Sequence, residues 1–190
     1  METLLSIALG LGLSVACGFR VFMPFLLAAV GSVLGYVQPG EGFEWIGTVP
    51  ALIVFGTATV LEILAYYLPW VDNLMDTIST PVAVLAGALA TASVLTDMPP
   101  LLHWTIALIG GGGAAGLVQS ATATIRAGST LATGGLGNFV VATFEWIGAA
   151  VTAILAIFLP LAAFAICLVV VTILLRQSRA LRKNRHVEGP

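Results

Sequence analysis

The chain has 190 residues, of which 59% are hydrophobic and only 8% charged, with a formal net charge of −2 and a mean hydropathy of +1.07. A soluble domain carries about 25% charged residues, so this chain cannot cover a surface facing water, and an integral membrane protein follows. The apolar runs are continuous rather than alternating, which excludes a transmembrane β-barrel and leaves an all-α, polytopic helix bundle.

The first apolar run, Leu4 to Val37, is too long for one ordinary span. GFRVFMP interrupts it with Gly18, Arg20 and Pro24. A proline removes a helical hydrogen bond and disfavours helix at the residue before it. The run is therefore either one kinked, tilted helix or two half-helices meeting near Arg20. MET-LLSIALG has no basic stretch ahead of it, so it reads as the start of this first helix rather than a signal peptide.

QPGEGFE, Gln38 to Glu44, is a polar loop, and a second span follows at about Trp45 to Leu68 with Glu62 inside it. PWVDNLMD reads as a turn, where Asp76 caps the third span at about Thr77 to Leu95. TDMPP is the next loop. The fourth span, about Leu101 to Ile125, contains four consecutive glycines at Gly110 to Gly113 and is followed by Arg126. AGSTLATGGLGN, Ala127 to Asn138, lacks apolar periodicity and reads as a loop or a re-entrant segment lining a cavity. The fifth span runs from about Phe139 to Leu159 with Glu145 inside it, and the sixth from about Leu161 to Leu175 after Pro160; one long kinked helix is the alternative.

Five of the seven basic residues fall in the terminal RQSRALRKNR. The positive-inside rule places that tail in the cytoplasm, and six spans then place the N-terminus there too, with QPGEGFE outside. Cys17 and Cys167 sit in apolar runs without metal-ligand or disulfide spacing, and read as packing residues.

FEWIG occurs twice, at Phe43 to Gly47 and Phe144 to Gly148. The copies themselves are open to coincidence, but SIALGLGLSVACGFR against TIALIGGGGAAGLVQ, with an arginine early in each half and a glutamate in the next helix, points to an internal duplication, with residues 1–97 and 98–176 as two inverted three-helix repeats and 177–190 as the tail. The two glutamates of FEWIG are not equivalent. Glu44 stands at a loop edge beside Trp45, an interfacial anchor, whereas Glu145 lies about two turns inside its span. By depth, the counterpart of Glu145 is Glu62.

Arg20, Glu62, Arg126 and Glu145 are thus charges within apolar helices, each costing several kcal/mol, about 2.5 upward, unless paired or hydrated. Arg20 pairs naturally with Glu62 and Arg126 with Glu145, and the crossed pairing is equally allowed. The arginines suit an anionic substrate group, and a protonatable glutamate suits proton coupling. Ser129, Thr130 and Asn138 add small polar groups that serve either a substrate or contacts between helices. No Ser-His-Asp, Cys-His or zinc constellation is visible, and no cofactor motif: four glycines without a following Lys-Ser or Lys-Thr are not a phosphate loop. The expectation is a carrier rather than an enzyme.

GLSVACGFRVFMPFLL, LEILAYYLPWVDNLMDTI, TPVAVLAGAL and STLATGGLGNFVVATFEW resemble the uncharacterised bacterial membrane family named domain of unknown function 4126, over about residues 3–175. The resemblance implies a compact polytopic fold with charged residues inside, and matches Arg20, Glu62, Asp72, Arg126, Asn138 and Glu145. Many members look like LE-x-x-ADK-IP where this chain has LEILAYYLP, so Tyr66 and Tyr67 stand where the family carries an acidic-basic pair.

The expected function is a small secondary transporter or flippase-like carrier of a bacterial inner membrane, multi-pass, with a site for an anionic or proton-coupled substrate. The alternative is a structural or assembly subunit of a larger membrane complex, whose glycine faces (Gly112 with Gly116, Gly128 with Gly134) serve a partner or another copy of the chain. The lipid bilayer is the surrounding partner in either case, and nucleic acid is not one.

Overall fold

A computed structural model describes residues 2–66, 69–165, 169 and 172, with residues 69–77 described through the backbone only. Among the described residues all regular structure is helical: α1 (Glu2–Phe19), α2 (Phe22–Val33), a 3-10 turn (Glu44–Gly47), α3 (Val49–Tyr66), α4 (Pro69–Ala92), α5 (Pro100–Thr105), a π segment (Ile106–Gly112), α6 (Gly113–Thr133) and α7 (Asn138–Phe158). Four helices are long and apolar enough to cross a membrane: α1, α3, α7 and the continuous helix Pro100–Thr133 formed by α5, the π segment and α6.

The long first run breaks at Arg20, as two half-helices. Pro24 falls in the first turn of α2, where a missing N–H costs nothing because that donor has no intrahelical acceptor. The chain then turns back on itself. Along α1, Gly12 abuts Ala156 and Phe19 abuts Gly148, so α7 runs antiparallel to α1. Gly31, near the end of α2, meets Ile157, so α2 runs parallel to α7 and antiparallel to α1. The two half-helices form a hairpin whose tip is Arg20–Val21. At 12 residues, α2 is about 18 Å long, too short to cross a hydrocarbon core of about 30 Å. QPGEGFE consequently lies at the same end of the bundle as the N-terminal half of α1: the Gly40 N–H donates to the Ser93 carbonyl at 2.8 Å, and Thr91 Oγ1, nearby on α4, donates to the Gly10 carbonyl at 3.0 Å. This corrects the expectation that α1's start and this loop lie on opposite sides.

α4 packs antiparallel to α1, and α6 parallel to it. Ser14 Oγ donates to the Gly111 carbonyl, and Gly18 sits on Ala115 and Val118. The two segments matched by sequence, Ser6 to Arg20 and Thr105 to Gln119, therefore run side by side in the same direction. An inverted repeat requires matched elements to run in opposite directions, so this pair gives it no support. The glycines are what bring these helices together. A Cβ on Gly87 would collide with the Ala115 Cβ and stand 2.9 Å from the Gly111 carbonyl, and one on Gly12 would stand 2.6 Å from the Ala156 Cβ. The core between α1, α4, α6 and α7 is correspondingly built from alanines, with Leu13, Cys17 and Val94 among them.

Two expected loops are helix. Pro69–Ala92 is helical, so Asp72 and Asp76 lie within a helix and Asp76 does not cap a helix start. α6 continues to Thr133 and stops at Gly134, whose φ of +63° is the left-handed conformation that ends helices. Threonine and serine thus did not end the helix; glycine did. Residues 160–165 are helical, and Ala163 packs beside Ala156 on Gly12. Most of the expected sixth span, Cys167 and the basic tail 177–190 lie outside the described residues.

The glycine contacts give a graded expectation. Gly87→Val forces Ala115 and Ser14 apart and lowers stability by about 1–3 kcal/mol or more. Gly113→Ala, with open space around the added Cβ, is neutral or gains up to about 1 kcal/mol. Thermal unfolding of the two variants in detergent, followed by fluorescence-detected size exclusion, checks the ordering.

Candidate functional site: a carboxylate between two arginines

The hairpin tip lies deep in the bundle. Arg20 is ten residues beyond Gly10, about 15 Å along α1 from the loop layer that holds Gly40. On the far side, α6 runs on from Gln119, near the level of Arg20, to Thr133, about 20 Å further. Arg20 is 2% exposed, Arg126 3% and Glu145 5%. Three charged side chains therefore sit near the middle of the structure.

One carboxylate serves both cations. Arg20 Nη2 donates to Glu145 Oε2 at 2.5 Å. Arg126 donates through Nε to Oε1 at 3.0 Å and through Nη2 to Oε2, a two-pronged contact that fixes both planes. Tyr66, at the end of α3, faces both arginines: its ring centroid is 3.6 Å from the Arg20 Cζ and 4.6 Å from the Arg126 Cζ. Trp146 lies 5.0 Å from the Arg20 Cζ. Aromatic faces attract desolvated cations by up to about 2 kcal/mol, which offsets part of the cost of burying two guanidiniums at Glu145.

Glu62 takes a different role from Glu145. It makes no side-chain ion pair with Arg20; its two oxygens accept the backbone N–H groups of Val21 at 3.0 Å and Phe22 at 3.1 Å. These are donors at the start of α2 that no helical carbonyl reaches. A carboxylate at a helix N-terminus is also favoured by the helix dipole. Glu62 is thus the residue on α3 that holds the hairpin tip in place. Of the pairings that the sequence allows, Arg126 with Glu145 is present, and Arg20 takes the crossed one, also with Glu145, because α7 rather than α3 presents its carboxylate to the guanidinium.

Ser129, Thr130 and Asn138 are not brought to the arginines. Asn138 Nδ2 donates to Thr130 Oγ1 at 3.0 Å, and Thr133 Oγ1 accepts the Gly137 N–H at 2.8 Å and donates to the Ser129 carbonyl. These groups tie the α6–α7 turn together at the end of the bundle. Glu44 and Trp45 stay at the opposite end. Glu44 is exposed and accepts the Gly42 N–H at 3.1 Å, and backbone donors, its own and that of Gly42, hold its carboxyl below the usual range.

A cavity of about 350 Å³ opens between the hairpin tip, α3 and α4, with Arg20, Glu62, Tyr66, Ser79 and Gln119 as its polar members. Gln119 Nε2 donates to Ser79 Oγ at 2.9 Å. Arg20 lines this cavity, and its Nε and Nη1 are buried without a hydrogen-bond partner among the described residues. A buried donor left unmade costs about 1–3 kcal/mol, more when charged. Tyr66, Gln119 and Ser79 carry no distinct signal in the sequence, because uncharged polar residues are common in apolar helices; the offset of Tyr66 from Glu62, one helical turn, was the available hint.

An all-helical membrane protein results, with its charges turned inward onto the break between two helices. The chain belongs to the family described as Domain of unknown function (DUF4126), which matches residues 7–180. No curated protein and no solved structure matches it.

Removing the shared carboxylate takes from Arg20 and Arg126 the acceptor they have in common. Glu145→Gln is expected to lose about 3–5 kcal/mol, read as a collapse of the thermal transition or of folded yield. Glu62→Leu leaves the charge cluster intact and frees the α2 donors, for about 1–2 kcal/mol. Faster hydrogen exchange confined to residues 20–25 would report that release, and unchanged exchange there would refute the capping role.

Proposed function

We propose that the protein is a small carrier, not an enzyme, that moves an anionic or proton-coupled substrate through the site around Arg20. The observation that carries this reading is the buried Arg20 guanidinium, whose Nε and Nη1 have no partner among the described residues although the residue lines a cavity at the tip of a helical hairpin. A charge buried only to brace the fold would be expected to use all its donors. An anion would complete this set, and Glu62, holding the tip through two N–H groups, couples tip position to carboxylate protonation: a protonated Glu62 accepts less strongly and loosens the hairpin.

The reading extends to a multi-pass protein of a bacterial inner membrane with its basic tail in the cytoplasm, where positive charge is retained. Assembly into a larger complex draws on Gly128 and Gly134, which have open space around them. Gly112 and Gly116 are already taken up by Val84 of α4, so the carrier is the reading we favour.

Arg20→Gln is the discriminating variant, because it leaves the two-pronged Arg126–Glu145 contact in place. In vesicles loaded with a pH-sensitive dye and given an inward gradient of acetate or inorganic phosphate, the wild type is expected to show dye responses above protein-free vesicles. Arg20→Gln is expected to abolish them while its thermal transition stays near that of the wild type. A variant that loses fold and flux together, or keeps full flux, counts against the proposal.

A further inference from the structure

Resting on the carrier reading, we infer that the site takes a single-chain amphiphile with an anionic head, a carboxylate or a phosphate monoester, rather than a small soluble anion. The inference comes from how the cavity continues. A second cavity, also about 350 Å³, lies along α2, α3 and α4, and its wall is apolar, with Phe25, Phe55 and Leu85 in it. The two cavities share Val21, Phe22 and Val82. They adjoin at these three residues and are taken as one groove.

The groove has a direction. Its deep end is the hairpin tip, where Arg20 lines the cavity and has two buried donors, Nε and Nη1, without a partner among the described residues. Its other end is Phe43 and Trp45 beside the polar loop, and Trp45 is 52% exposed, the placing of an aromatic at a membrane–water boundary. A soluble anion would need a polar path and a hydrated vestibule. This path offers Phe25 stacked on Phe55 at 5.4 Å, a surface that a hydrocarbon chain covers and a hydrated ion avoids. The head meets donors and the chain meets the apolar wall. Glu62 does not compete for the head, because its oxygens are turned onto the Val21 and Phe22 amides.

The test uses the full-length protein in nanodiscs and a palmitic acid carrying a diazirine in its chain. Irradiation followed by peptide mapping should place the label on α2, α3 and α4 around Phe25, Phe55 and Leu85. Excess laurate or dodecyl phosphate should suppress it about tenfold, the counterpart of about 1.4 kcal/mol, while dodecanol and inorganic phosphate should not. Preferential competition by laurate or by dodecyl phosphate identifies the head group. Arg20→Gln should lose the site-specific label. Val82→Trp, which fills the junction of the two cavities without touching a charge, should lose it as well and keeps the test open if Arg20→Gln misfolds. Label spread evenly over lipid-facing helices, competition by dodecanol, or suppression by inorganic phosphate alone overturns the inference. Acetate or phosphate flux without groove labelling sinks the amphiphile and leaves the carrier standing; labelling without any flux does the reverse.

Discussion

Everything near the centre of this protein depends on Glu145 holding two arginines at once. Charges this deep are tolerated only when geometry and hydrogen bonds return what desolvation removes. Glu145 supplies that return from α7, and in doing so it ties α7 to α6 through Arg126 and to the end of α1 through Arg20. Tyr66 brings α3 to the same point. Four helices thus meet at one carboxylate, and the alanine-lined seams above it, at Gly10, Gly12 and Gly87, bring them close enough to do so.

The second constraint is the start of α2. Ending α1 at Phe19 and restarting at Phe22 exposes backbone donors far from water. Glu62 accepts two of them, and Pro24 has no donor to place. The two glutamates inside the bundle therefore act differently. Glu145 balances side-chain cations, while Glu62 closes a backbone. Arg20 sits between them and is the one described cation with buried donors left unmade.

Much of this was legible in the sequence. Continuous apolar runs fix helices, and GFRVFMP marks the break, because a glycine, a charge and a proline within seven positions cannot continue a buried helix unaided. Arg20, Arg126 and Glu145 stood out because a charge in an apolar run is costly wherever it lies. What was not legible is three-dimensional. Nothing local says that α2 folds back rather than onward, and so nothing says which glutamate faces Arg20. The polar run Ala127 to Asn138 misled because serine and threonine satisfy themselves on the preceding turn, as Thr133 does on the Ser129 carbonyl, and only Gly134 ends the helix. The FEWIG copies lie at different depths of the bundle, one exposed at Glu44 near an end and one buried at Glu145 near the middle, so identical letters carry different physics.

The hairpin of α1 and α2 also brings both ends of one apolar run to the same place. Gly12 abuts Ala156 and Gly31 meets Ile157, so the N-terminal half of α1, the end of α2 and the end of α7 share one end of the bundle. A hydropathy profile scores Leu4 to Val37 as a single long stretch, yet where that stretch leads is governed less by its apolar length than by the few residues around Arg20.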